Sequence, residues 1–170
     1  MPSSRPKEEP SIANRLLVVV IVAAIVAMVG TTLAMADDRI RPDPKLTPGD
    51  TLPVTPDEVC EPGYSKFVRR YIDGRTKVQV YREYGIENHP PGSYEIDHLI
   101  AIALGGSNEI KNLWPQSLDD TKHWNAKLKD RLERRLHVLV CDDHLLSLRE
   151  AQEAIARDWI AAFQKYVAGQ

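Results

Sequence analysis

The stretch Tyr94 to Trp114, YEIDHLIAIALGGSNEIKNLW, constrains the chain more than any other. Asp97-His98 opens an uninterrupted apolar run, Leu99 to Leu104, which reads as a buried strand. Gly105-Gly106-Ser107-Asn108 supplies turn chemistry, because glycine takes positive φ without a Cβ clash. The segment Ile110 to Trp114 then brings Asn112 back towards the strand carrying His98. A charged pair at the mouth of an apolar strand is costly unless a partner, such as a metal, offsets it. The stretch therefore points to a site as much as to a core.

Asp97 offers a hard anionic oxygen, and His98 a base whose ordinary pKa lies near neutrality. Adjacent residues of a strand face opposite ways, so sharing one task requires a distortion or a site at the strand's edge. Asn112, on a paired strand, could hold the His98 ring by a hydrogen bond and fix its tautomer. A further ligand would come from the helix that follows, where His123 and Asn125 are the candidates. At about 100° per residue, Asn125 shares the face of Leu128 and Leu132, with Lys129 at its edge and His123 roughly opposite.

The rest of the 170 residues frames this centre. Met1 to Arg15 is polar, Leu16 to Gly30 is apolar, and Ala34-Met35-Ala36 precedes Asp37. That pattern predicts a secretory signal over residues 1–36, or a membrane anchor if it stays uncleaved. Either outcome puts the remainder outside the cytoplasm, in the periplasm or secreted. Residues 37–56 contain Pro42, Pro44, Pro48, Pro53 and Pro56, which predicts an extended tether with no core of its own. The folded domain is expected over residues 57–170, as a monomer. Cys60 and Cys141 are the only cysteines, and two cysteines in an exported domain read as one disulfide. With a formal net charge of −2, the chain is no general polyanion binder, so nucleic-acid contact would need a local basic patch.

Within the domain, Ser65 to Ile72 reads as a short strand and Asn88 to Gly92 as a loop, while Thr76 to Tyr84 suits a strand by its Val78-Val80 alternation or, the reading preferred here, a helix that stops at Gly85. Thr121 to Val140 reads as a helix with Leu128, Leu132, Leu136 and Leu139 on one face. A second helix begins at Ser147, where Ser147-x-x-Glu150 matches a capping box. The two should pack as a hairpin. The basic run Lys122, Lys127, Lys129, Arg131, Arg134 and Arg135 reads as a solvated helix face.

Glu95-Ile96-Asp97-His98, the Gly-Gly turn and Asn112-Leu113-Trp114-Pro115, followed by a helix, resemble the HNH or ββα-metal endonucleases. The resemblance is closest to small exported bacterial HNH-type proteins. It runs from Cys60-Glu61-Pro62-Gly63-Tyr64 through Lys129-Asp130-Arg131-Leu132-Glu133 to Asp158-Trp159, nearly the whole domain. It implies an α+β fold and metal-dependent hydrolysis of phosphodiester bonds in DNA, with RNA as the alternative substrate. Asp97 would be a metal ligand, His98 the general base, and Asn112 would fix the loop or the His98 ring. Asn125 would be the second metal ligand, with His123 its rival, and Glu95 an acidic residue that orients the site. Lys129 would neutralise transition-state charge. Carboxylate plus amide oxygen favours Mg²⁺ or Mn²⁺. The chain departs from the family pattern in having Asn125 where the last signature histidine is usual, and in a longer connection to the helix. The rival expectation is a nuclease-like module that binds without cleaving.

Overall fold

The computed structural model describes residues 40–69, 72–118 and 123–169. The signal or anchor expected over residues 1–36 lies outside the described residues. In chain order the elements are α1 (Pro56–Cys60), α2 (Tyr64–Val68), α3 (Gly74–Glu83), β1 (Tyr94–His98), β2 (Leu113–Ser117), α4 (Ala126–Cys141) and α5 (Leu148–Phe163). Short 3₁₀ turns, Ile102–Leu104 and Ile110–Asn112, lie between the strands, and a π-helical turn, Gln164–Ala168, follows α5. The class is α+β, with β1 and β2 paired antiparallel.

The core is the hairpin of α4 and α5. Leu132, Leu136 and Leu139 recur at helical spacing and are buried against Leu148, Ala151, Ile155 and Trp159. Each such side chain contributes about 1.5–3 kcal/mol by leaving water. Asn125, not Thr121, starts α4: its backbone is extended at φ −143° and its Oδ1 accepts the Leu128 amide. The helix therefore begins five residues later than its leucine pattern suggested. Ser147 and Glu150 form the expected capping box at the start of α5. Asp158 then interrupts α5 with non-helical angles and restarts it, its Oδ1 accepting the Ile160 and Ala161 amides.

Other expectations are corrected. Tyr64–Val68 is helical rather than a strand, entered through Gly63 at φ +89°; residues 70 and 71 of that segment are outside the described set. The run Leu99–Leu104 is buried as expected but is not a strand. After the Leu99 amide bonds the Asn112 carbonyl, the chain turns away from the ladder. Asn112 makes this possible. Its Oδ1 accepts from the amide of Ile100, at 2.9 Å, and from that of Asp50, at 3.4 Å. Its Nδ2 donates to the carbonyls of Ile100 and Ser107, both at 2.9 Å. A side-chain amide thus replaces a neighbouring strand, and apolar residues bury without a sheet. The turn is tight: a Cβ on Gly106 would lie 1.8 Å from the Ile100 carbonyl oxygen.

Residues 40–56 are not a free tether. Thr47 is buried and its hydroxyl donates to the Leu113 carbonyl at 2.8 Å. The amides of Gly49 and Leu52 donate to the carbonyls of Lys111 and Gly105, and the Trp159 indole donates to the Ile40 carbonyl. The prolines leave these intervening donors available, so the segment straps across the turn region instead of extending. α1 begins at Pro56 behind a Thr55–Glu58 capping box.

The Cys60–Cys141 bridge is present, joining α1 to the end of α4 over a sequence separation of 81. Replacing both cysteines with serine should lower stability by about 4 kcal/mol, read from urea unfolding beside the disulfide-bonded wild type. Asn112→Ala, which ends three buried bonds to backbone groups and a part-buried one to the Asp50 amide, should lower it by about 3 kcal/mol or more.

Candidate active site

The register pairs Asp97 with Trp114 and Glu95 with Gln116, so Glu95 and Asp97 share one face of the hairpin. His98 lies on the opposite alternation, opposite Leu113. Yet Asp97 and His98 both line one cleft of about 660 Å³, because β1 ends at His98 and the cleft lies at that end. Glu95, Asp130 and Glu133 add carboxylates to its wall, while Arg69 and Lys77 bring positive charge.

β1 is tied to α4 by Lys129, which is 1% exposed. Its ammonium donates to Asp97 Oδ2 and to the His98 carbonyl, each at 2.6 Å, and to Glu133 Oε1. All three N–H donors are thereby used. Burial alone would drive the Lys129 pKa down, but the charges and hydrogen bonds of Asp97 and Glu133 outweigh it and hold the pKa up. Burial raises the Glu133 carboxyl, opposed by Lys129 and helped by the Asp97 charge. Glu95 is exposed along much of its length, but desolvation at the cleft wall and the Asp97 and Asp130 charges raise its carboxyl too.

His98 is half-buried. Desolvation lowers its pKa, against the opposing effects of the Asn108 hydrogen bond and the Asp97 charge, so the neutral ring is favoured at neutral pH. Asn108 Oδ1 lies 3.0 Å from His98 Nε2. An amide oxygen only accepts, so Nε2 carries the proton and Nδ1 holds the lone pair. A neutral imidazole of fixed tautomer is what proton abstraction from water needs.

The expected site residues are only partly brought together. Glu95, Asp97 and His98 line the cleft, and Lys129 lies behind it. Asn112 fixes the loop, whereas the His98 ring is held by Asn108. Lys129 is committed to Asp97 and Glu133, so it positions those carboxylates instead of meeting transition-state charge. Asn125 caps α4, and His123 packs edge-on to Trp124 with ring centroids 4.9 Å apart. Neither lines the cleft. Asp97 thus lines the cleft without either of the two alternatives for a second ligand, Asn125 or His123. Among the described residues, no three His, Cys, Asp or Glu side chains form a metal-holding group.

Asn108 and Glu133 escaped the sequence reading. Asn108 was absorbed into turn chemistry, while Glu133 stands four residues from Lys129, a spacing that puts both on one helix face.

Lys129→Met should leave Asp97 and Glu133 facing each other without a counter-charge, destabilising the fold by about 3–5 kcal/mol at neutral pH. Without the Lys129 charge that opposes it, burial would hold the Glu133 carboxyl further above its unfolded value. Stability lost at neutral pH should return as pH falls towards the ordinary carboxylate range, about 4, in thermal melts at stepped pH. A variant whose deficit is the same at every pH would show that Lys129 contributes packing alone.

The chain matches no protein-family model, no curated protein and no solved structure.

Proposed function

We propose that the protein is an endonuclease of the HNH or ββα-metal type, hydrolysing phosphodiester bonds of DNA, or alternatively of RNA, outside the cytoplasm. The observation that carries this reading is the His98 ring, held by Asn108 at the mouth of a carboxylate-lined cleft. The succession of β1, loop, β2 and α4 is the order such a motif requires, and it supports the assignment. In the proposed reaction His98 Nδ1 takes a proton from water as its oxygen attacks phosphorus. The phosphorus–oxygen bond to the leaving sugar breaks, and the leaving oxygen takes up a proton from solvent water. Arg69 and Lys77 would hold the entering phosphate. Dependence on Mg²⁺ or Mn²⁺ comes with the family resemblance, and Asp97 is the expected ligand that lines the cleft.

A second reading, a nuclease-like module that binds without cleaving, is favoured by one contact. Asp97, the expected ligand, already has the Lys129 ammonium as its counter-charge.

The test is a plasmid-nicking assay of the full chain with Mg²⁺, with Mn²⁺ and with chelator. The expected result is divalent-dependent nicking that His98→Ala abolishes and Asn108→Ala reduces by about 10²-fold, within the range of general-base catalysis. Because the His98 pKa is lowered, the active neutral ring persists as pH falls. The acid limb of the rate profile should therefore bend below about 6.5, the ordinary histidine value. Plasmid retarded on a gel but uncut under every metal condition would favour the binding module.

A further inference from the structure

A second cleft, also of about 660 Å³, runs beside α3 and shares Lys77 with the catalytic cleft. Its wall carries Tyr81, His89 and Val78, with Arg82 and Glu87 also lining it. The Tyr81 and His89 rings lie 4.5 Å apart and 40° from parallel, and His89 meets Tyr94 edge-on at 5.7 Å. Val78 is 56% exposed, an apolar side chain left in solvent at this wall. Aromatic and apolar surface bordered by cations suits a nucleobase with its phosphates.

We propose that this cleft receives an unpaired nucleotide of the substrate strand next to the scissile phosphate, so that the protein prefers single-stranded to duplex nucleic acid. The proposal rests on the nuclease reading of the adjoining cleft and names its substrate class. Two features commit the occupant. Lys77 lines both clefts, so a strand passing from the catalytic cleft to Tyr81 keeps a phosphate beside it. Lys77 and Tyr81 are one helical turn apart on α3, about 6 Å along the axis. A base within a duplex has both faces covered by its neighbours, and only an unpaired one can offer a face to Tyr81 or His89. Glu87 opposes the polyanion, so binding should be modest and salt-sensitive.

The test measures binding by the full chain in chelator, so that cleavage is off. The probe is a 2-aminopurine oligonucleotide of about 12 nucleotides, within the site size of such grooves, against a blunt hairpin of the same sequence. The single strand should bind about tenfold more tightly. Tyr81→Leu and His89→Ala should each remove about tenfold of that affinity and leave the hairpin unchanged, while Tyr81→Phe keeps it. His89 sits in a loop, so its variant decides the matter if Tyr81→Leu does not fold. Equal binding of the two probes, or single-strand affinity unmoved in His89→Ala, overturns the proposal. Strand preference without nicking in any metal would sink the nuclease reading and leave the cleft standing; nicking without preference would do the reverse.

Discussion

Most of what lies between the hairpin and the helical core depends on the Lys129 ammonium, whose burial would be prohibitive without its acceptors. By reaching Asp97 and the carbonyl of His98, it fixes the end of β1 against α4. By reaching Glu133, one turn further along α4, it fixes its own rotamer. The hairpin alone has two five-residue strands, too few to be stable in water. Its stability comes from the residues that attach it to the helices. The same contact decides how Asp97 is presented to the cleft, so fold and site share one interaction.

The strap and the disulfide act at the opposite side of the same problem. Residues 40–56 cover the turn region through backbone bonds to Gly105 and Lys111 and through the Thr47 hydroxyl on the Leu113 carbonyl, and Asn112 joins them by accepting from the Asp50 amide. Cys60, just after the strap, is locked to the far end of α4. The turn that carries Asn108 is therefore held from both sides, by the core below and the strap above. That restraint is what allows one asparagine oxygen to set the His98 tautomer.

How much of this could be read from the sequence follows from the range of the interactions. The α4–α5 leucine pattern, the Ser147 capping box and the cysteine pair are local or nearly forced, and they were legible, whereas α3 was open between helix and strand because Val78 and Val80 suit either. The apolar run after His98 was legible as buried but not as a turn, because strand and turn bury the same side chains. Only Asn112's four bonds distinguish them, and those depend on partners as distant as Asp50. The prolines of residues 42–56 describe what that segment cannot donate, not where its remaining amides go. Asn125 showed the same ambiguity, since capping and metal ligation use the same amide oxygen. Asp97 and His98 were legible as a centre, whereas Lys129 as their anchor required knowing that the helix edge faces inward.

The electrostatics of the cleft bear on what it can admit. Four carboxylates would repel a phosphate if all were ionised, yet Glu95 and Glu133 have raised pKa values and Asp97 is paired. Desolvation pushes His98 in the complementary direction, towards its neutral form. The raised Glu133 carboxyl and the pairing of Asp97 with Lys129 make the wall less negative at neutral pH than its composition suggests, while the neutral His98 adds no positive charge. Arg69 and Lys77 then meet the incoming anion with less opposition. Burial thus does two things at once here: it keeps the base unprotonated and moderates the field that a polyanion must cross to reach it.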